Sequence, residues 1–380
     1  MKLAAIIPKY SVSIHDPCCY PLGFGYVLAS LIQAGHKVDV FNLNLYGKPD
    51  LNELPKYDAV LTHGFDESCL DLLEIGQTCR LMGIKTIIGG GMATYEPGTV
   101  SKLYSTTIMG EGEKTVHRAL YEAGIVQGEL ANLAELPRPA YESMGIDEYH
   151  RRHDFRYMGI MSSRGCPHKC TFCRNLCKFR CRPLDPFFAE IDEYQAKWKI
   201  EHLVIYDNTL NVSRGRLNRI IDGMQGRGLS WSACLRADNI EESDVAKMKS
   251  AGCNLVLVGI ESLRQSKLDE FNKQVTVDQV DRLLTWCEKH GIAYTGGVFL
   301  ATGNDTMQDV AEDMWLIKNS KHRLQPNTLT HFPDIAERRS PYITDHQHQE
   351  IDQICQNWQT QNGATFGTGQ RRSAVVGLNC

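Results

Sequence analysis

The run Ser163-Arg164-Gly165-Cys166-Pro167-His168-Lys169-Cys170-Thr171-Phe172-Cys173 follows an apolar segment, Tyr157–Ser162, that reads as a strand. Gly165 and Pro167 disfavour a helix, so the cysteines are expected on a loop at a strand's carboxyl end. Their spacing is C-x3-C-x2-C. Three thiolates cannot close a four-coordinate zinc site by themselves. They can hold three irons of a [4Fe–4S] cube and leave the fourth open. An open iron accepts a chelating ligand, which points to catalysis rather than electron storage.

Outward from this run, the cysteine count itself is unusual. The chain has 380 residues and 14 cysteines, and five of these (Cys166, Cys170, Cys173, Cys177 and Cys181) lie within positions 166–181. The scattered ones suit buried free thiols acting as small hydrophobes. Cys177 and Cys181 read either as further metal ligands or as packed thiols, and the spacing leaves both open. The net charge of −4 argues against a nucleic-acid-coating surface. Between Arg151 and Arg182, however, nine Lys or Arg stand against one acid, Asp154. That basic rim reads either as a surface that attracts an anionic substrate or a reductant such as flavodoxin, or as an ordinary solvated basic face.

Elsewhere the composition describes an ordinary globular chain, with 42% hydrophobic and 23% charged residues. No run approaches the ~20 apolar residues of a membrane span. The start, Met1-Lys2-Leu3-Ala4-Ala5-Ile6-Ile7-Pro8, is too short in apolar residues for a secretory signal. A cytoplasmic protein is the expectation.

At ~150 residues per domain the length allows two or three domains. Strands are expected at Leu3–Pro8, Lys37–Asn42, Asp58–His63, Lys85–Ile88 and Thr107–Met109, with helices at Leu22–Ala34, Glu67–Met82 and Lys114–Ala123. Such alternation implies an α/β fold, a doubly wound parallel sheet over residues 1–130. Ligands bind at the carboxyl ends of such strands. Gly89-Gly90-Gly91 and Gly110-Glu111-Gly112-Glu113 fall there, either as close approaches to a ligand or as tight turns. Neither is a G-x-G-x-x-G fingerprint. Residues 131–155, with Pro137-Arg138-Pro139, read as a linker.

A second alternation follows over 156–335. Strands are expected at Tyr157–Ser162, His202–Tyr206, Leu229–Leu235, Asn254–Gly259, Ile292–Leu300 and Thr328–Phe332. Six β/α units suit a partial (β/α)6 barrel with its chemistry at the carboxyl strand ends. Residues 336–380 are expected to hold a helix near Asp345–Thr360 and a tail.

The cysteine run, with Phe172 before its last cysteine and a barrel strand before its first, resembles the radical S-adenosylmethionine (SAM) superfamily. The resemblance implies SAM chelated to the open iron and cleaved by one electron to a 5′-deoxyadenosyl radical, with flavodoxin or ferredoxin as the reductant. Gly259-Ile260-Glu261-Ser262 resembles the fourth-strand G-I-E-S motif, so Glu261 and Ser262 would reach SAM's polar groups. Arg236 with Asp238 resembles the third-strand R-x-D, the arginine pairing SAM's carboxylate. Asp207-Asn208 occupies the place after the second strand that touches the SAM amine, and Phe172 would lie beside SAM. Two departures stand out. Leu263 replaces a common glycine, and Ala301-Thr302-Gly303-Asn304-Asp305-Thr306 replaces a G-x-P-G-E-T turn.

Pro21-Leu22-Gly23-Phe24-Gly25-Tyr26 and Ala34-Gly35-His36-Lys37-Val38 resemble the first unit of the Rossmann-like cobalamin-binding domains that precede some radical SAM barrels. Gly89, Gly90, Gly91, Gly110, Glu111 and Gly112 would then contact the corrinoid. No D-x-H-x-x-G occurs in the first loop, although His15, Cys18 and Cys19 lie there. The cofactors so implied are a [4Fe–4S] cluster, SAM and cobalamin. The implied activity is methyl transfer to an unactivated carbon of a small-molecule or peptide substrate. A cyclase or rearrangement enzyme using cobalamin differently, or not at all, is the alternative. A non-catalytic iron–sulfur or corrinoid-binding sensor is the reading from another class, and the presence of Asp207, Arg236 and Glu261 argues against it.

Overall fold

Leu3, Ala4, Ala5, Ile6 and Ile7 have no exposed surface. An uninterrupted apolar run of this kind marks a strand covered on both faces, as in a parallel sheet flanked by helices. The computed structural model describes residues 1–9, 20–64, 69–152, 155–174, 177–328 and 339–362. Among these the chain divides into two compact units. One is Met1–Arg156 with Ala189–Trp198; the other is Tyr157–Phe188 with the residues from Lys199 on.

The first unit holds a six-stranded sheet of β1 (Lys2–Ile7), β2 (Lys37–Asn42), β3 (Ala59–His63), β4 (Thr86–Gly89), β5 (Thr106–Met109) and β6 (Gly124–Gln127), in the order β2-β1-β3-β4-β5-β6. Every pairing is parallel. Helices Leu22–Gln33 and Cys69–Leu81 follow β1 and β3. Gly35, at φ 83°, ends the first of them in the left-handed conformation expected there. The order reverses between β1 and β3, which makes their carboxyl ends a switch point.

Three features depart from the sequence reading. The helix expected at Lys114–Ala123 is only Thr115–Ala119, and the chain then enters β6. That strand carried no apolar signal because it is an edge on which Val126 alone is buried. Residues 131–155 contain the short helices Tyr141–Met144 and Ile146–Arg152, whose Tyr141, Met144, Ile146 and Tyr149 are each 1% exposed. Residues 10–19, with His15, Cys18 and Cys19, lie outside the described residues.

The second unit is built on a parallel sheet of β7 (Tyr157–Ile160), β10 (His202–Ile205), β11 (Ser230–Leu235), β12 (Cys253–Val258) and β13 (Ala293–Thr295). Two short strands, β8 (Ser163–Arg164) and β9 (Arg180–Cys181), pair antiparallel between β7 and the next helix. The strand expected at Ile292–Leu300 is broken at Gly296 into β13 and β14 (Gly297–Phe299). A Cβ on Gly296 would lie 2.4 Å from the Val258 carbonyl oxygen, so the chain bends away there. β14 pairs with β15 (Gln325–Asn327), and Val298 also bridges to Glu261. The sixth strand therefore sits before Thr328–Phe332, of which residues 329–332 are not described. Its polar Gln-Pro-Asn sequence hides it, and Pro326 is tolerated because among the described strands only β14 flanks it. Helix Asp345–Asn362 closes the described chain.

Candidate active site

The loop carrying the cysteines leaves β7 through Ser162 and returns at Arg182. Its neck is the β8–β9 ladder, Ser163 opposite Cys181 and Arg164 opposite Arg180. Polar side chains hold that neck, Asp207 buried and Asn208 and Arg216 half-buried. Oδ1 of Asp207 accepts the backbone N–H of Ser162 at 2.6 Å and of Ser163 at 2.9 Å. Its Oδ2 accepts the hydroxyls of the same two serines at 2.6 and 2.5 Å. Asn208 Oδ1 accepts the N–H of Gly165 at 3.1 Å. Arg216 donates to the carbonyls of Ser162 and Arg182 at 2.8 and 3.0 Å. Gly165 has φ 80°, and a Cβ there would stand 2.4 Å from the carbonyl oxygen of Cys177. Only glycine fits beneath that crossing.

The far side of the loop is tied to residues 270–273. Thr171 N–H donates to the Phe271 carbonyl at 2.9 Å, and Asn272 Nδ2 to the Lys169 carbonyl at 3.0 Å. Phe172 meets Phe271 and Phe299 edge-on, with ring centres 5.0 and 5.3 Å apart. Arg236 grips Asp238 through Nε at 2.9 Å and Nη2 at 3.0 Å, and Nη2 also donates to the Lys273 carbonyl at 2.5 Å. Its Nη1 reaches Cys170 Sγ at 3.8 Å. Lys273 Nζ stands 2.7 Å from Glu261 Oε1 and 5.6 Å from the Phe172 ring centre.

Cys170 thus lies against the Arg236 guanidinium, whose charge also reaches Cys166. Burial pushes the Cys166 thiol up, while a hydrogen bond with the His168 backbone and the Arg236 charge oppose that rise. Burial pushes the His168 imidazole down, with Arg236 and Lys273 acting in the same direction. Cys166 and Cys170 are half-buried and Cys173 is exposed. Among the described residues no three His, Cys, Asp or Glu come together closely enough to hold one metal ion.

Phe172, Arg236, Glu261 and the three cysteines are therefore brought together, but several predicted SAM contacts have other work. Asp207 and Asn208 hold the neck. Arg236 is engaged by Asp238, Cys170 and the Lys273 carbonyl. Ser262 is fully buried, and its Oγ accepts the N–H of Arg264 in the turn that starts helix Gln265–Glu270. Glu261, at φ 63°, is a strained non-glycine residue locked by its own backbone bonds to Gly297 and Phe299. Sequence reasoning missed Lys273. The signal was a lysine only 5% exposed, and burial is invisible in a single sequence. The departing turn also has a cause: Asp305 within it, with Asp309 and Asp313 on the next helix, binds Arg264 at 2.7–2.8 Å.

In the first unit, Gly89-Gly90-Gly91 and Gly110-Glu111-Gly112 follow β4 and β5 on neighbouring strands, and the Gly110 N–H donates to Thr94 Oγ1 at 3.1 Å. Gly90 and Gly110 take φ of 89° and 98°. Glu111 does not present a free carboxylate to a corrinoid, because its Oε2 accepts the Ala131 N–H at 2.9 Å. His63 ends β3 at the switch point, its ring tilted against Phe24 with centres 4.7 Å apart, and burial pushes its imidazole down to about 3.

Residues 160–316 match the radical SAM superfamily. That stretch is a radical SAM domain. Over 355 residues the chain is 23% identical to an uncharacterised methyltransferase of Pyrococcus horikoshii, covering 82% of this chain and 76% of that protein. Over 337 residues it is 22% identical to bacteriochlorophyllide d C-8(2)-methyltransferase of Chlorobaculum tepidum, covering 81% and 73%. The radical SAM methyltransferase TsrM of Kitasatospora setae shares the fold at a TM-score of 0.67 and 16% identity, covering 86% of this chain and 72% of that one. No described helix of this chain is long and apolar enough to cross a membrane.

Proposed function

We propose that the chain is a cobalamin-dependent radical SAM methyltransferase acting on an unactivated carbon of a small-molecule or peptide substrate. The observation that carries this reading is the cysteine loop, tied at neck and far side, with Arg236 at Cys170 and Lys273 beside Phe172. The donor set fits a cluster: three thiols share one loop, and the Arg236 cation beside Cys170 and near Cys166 would offset the negative charge of thiolates and cube. The fold likeness to TsrM, whose structure has also been determined with cobalamin and a [4Fe–4S] cluster, supports the corrinoid. The two methyltransferase relatives support methyl transfer.

Cys166, Cys170 and Cys173 would hold the cluster. The Lys273 ammonium, kept in place by Glu261, would receive the SAM carboxylate, since Arg236 is otherwise engaged. Phe172, Phe271 and Phe299 make an apolar wall that excludes water from that side. The glycine turns after β4 and β5 would let backbone approach the corrinoid. When bound, the cluster with SAM supplies a hydrogen-abstracting 5′-deoxyadenosyl radical and cobalamin supplies the methyl group. The exposed Lys169 and Lys178 on the loop would draw an acidic one-electron carrier such as flavodoxin or ferredoxin.

The test is anaerobic purification with iron and cobalamin supplied, followed by reduction with SAM. Cluster and corrinoid should co-purify, and 5′-deoxyadenosine should form. An intact cluster that releases no 5′-deoxyadenosine would sink the enzymatic reading. A cluster without corrinoid would remove methyl transfer in favour of cyclisation or rearrangement.

A further inference from the structure

Asp207 is 1% exposed, and its two carboxylate oxygens already accept four hydrogen bonds from the consecutive residues Ser162 and Ser163. Asn208 accepts the amide of Gly165, the residue before Cys166. These bonds act on the few residues between the end of β7 and the first thiol, and Arg216 holds the Ser162 carbonyl as well. A short loop fixed at Gly165 and again at Thr171 has little freedom left, so a change of angle at the neck moves the sulfurs.

We propose that Asp207 and Asn208 are positioning residues that arrange the cysteine loop before the cluster arrives, and that neither contacts SAM. This rests on the reading that Cys166, Cys170 and Cys173 hold the cluster. Groups that orient a metal's ligands commonly govern its affinity by about 10- to 100-fold.

The hydrogen-bond pattern supplies the discriminating variant. Both serine amides go to Oδ1 of Asp207 and both hydroxyls to Oδ2. In Asp207→Asn the retained oxygen still accepts both amides, and the new NH2 donates to the two hydroxyls, which turn to accept. The clamp survives although the charge is gone. In Asp207→Ala all four donors lose their partner. A contact to the SAM ammonium would behave oppositely, because it depends on the charge.

The experiment measures iron uptake, SAM binding and amide exchange at Ser162, Ser163 and Gly165 on the full chain, the exchange in the cluster-free state. Asp207→Ala and Asn208→Ala should weaken cluster uptake by about tenfold or more and speed exchange at the neck. Asp207→Asn should match the parent in cluster uptake, exchange and the SAM-induced change in the cluster's electron paramagnetic resonance signal. The proposal is overturned if Asp207→Asn loads its cluster fully but no longer responds to SAM. It is also overturned if Asp207→Ala keeps parental uptake and exchange. If Asp207→Ala does not fold, Asn208→Ala, which removes one hydrogen bond, decides by the same criteria. A parent chain that takes up no cluster sinks the site reading itself, and the proposal with it.

Discussion

Both sheets end in turns that a bound group would face, yet the two units secure those turns by different means. In the first, glycines and backbone contacts predominate, and the Glu111 carboxylate holds the Ala131 amide. Gly64 N–H donates to the Gly89 carbonyl at 3.2 Å, Gly128 N–H to the Met109 carbonyl at 2.8 Å, and Gly110 N–H to Thr94. In the second, buried and half-buried ionic groups do the holding: Asp207, Arg216, Arg236 with Asp238, and Lys273 with Glu261. The difference follows from what each turn must meet. A loop of thiolates concentrates negative charge and needs fixed cations around it, whereas a turn that offers its backbone to a neutral face needs room.

The largest effect is expected from Cys170→Ala. It should abolish cluster binding, read as loss of the visible absorbance band and of iron, while Cys177→Ala leaves both in place. Next comes a matched pair of glycine substitutions. Gly165→Ala puts a Cβ 2.4 Å from a carbonyl oxygen at φ 80°, whereas Gly90→Ala meets its nearest atom, the Gly64 carbonyl oxygen, at 3.1 Å and φ 89°. The first should lower iron content several-fold. The second should leave iron content unchanged and affect only corrinoid retention.

Removing the Lys273 charge is expected to cost less than losing the cluster but more than a surface change. Lys273→Met leaves the Glu261 carboxylate, 13% exposed, without its cation. Breaking such a pair should lower stability by about 3 kcal/mol, measured by urea unfolding, and weaken SAM binding.

The smallest effect is one the two units share. Burial pushes His202 down to about 4, and His63 to about 3. The unfolded chain takes up these protons first as pH falls, starting near about 6.5, so stability present at neutral pH is lost on acidification toward those lower values. At about pH 5 each histidine should cost on the order of 2 kcal/mol. His202→Gln, set between the Ser230 and Ser232 hydroxyls, should flatten its share of that slope in urea titrations at pH 7 and about pH 5.

The sheets were legible because β1, β10 and β12 carry apolar runs that only a covered strand explains. The loop was legible because thiol spacing and Gly165 are local properties. β6 and β15 were not, since an edge strand and a Gln-Pro-Asn strand bury too little to leave a pattern. The roles of Asp207 and Lys273 were hidden for another reason. Asp207 lies 44 and 45 positions from the serines it serves, and Lys273, 12 positions from Glu261, is buried in a way no single sequence shows.

The four residues 270–273 receive the cysteine loop, the Arg236 guanidinium and the Glu261 carboxylate at once. Their distance along the chain from the strained turn at Glu261 is therefore a measured spacer. Substitutions along helix Gln265–Glu270 can be absorbed one at a time, but adding or deleting a single residue there would shift every one of those attachments together. In descendants or engineered versions of this chain, the number of residues between Glu261 and Lys273 should vary less than their identity.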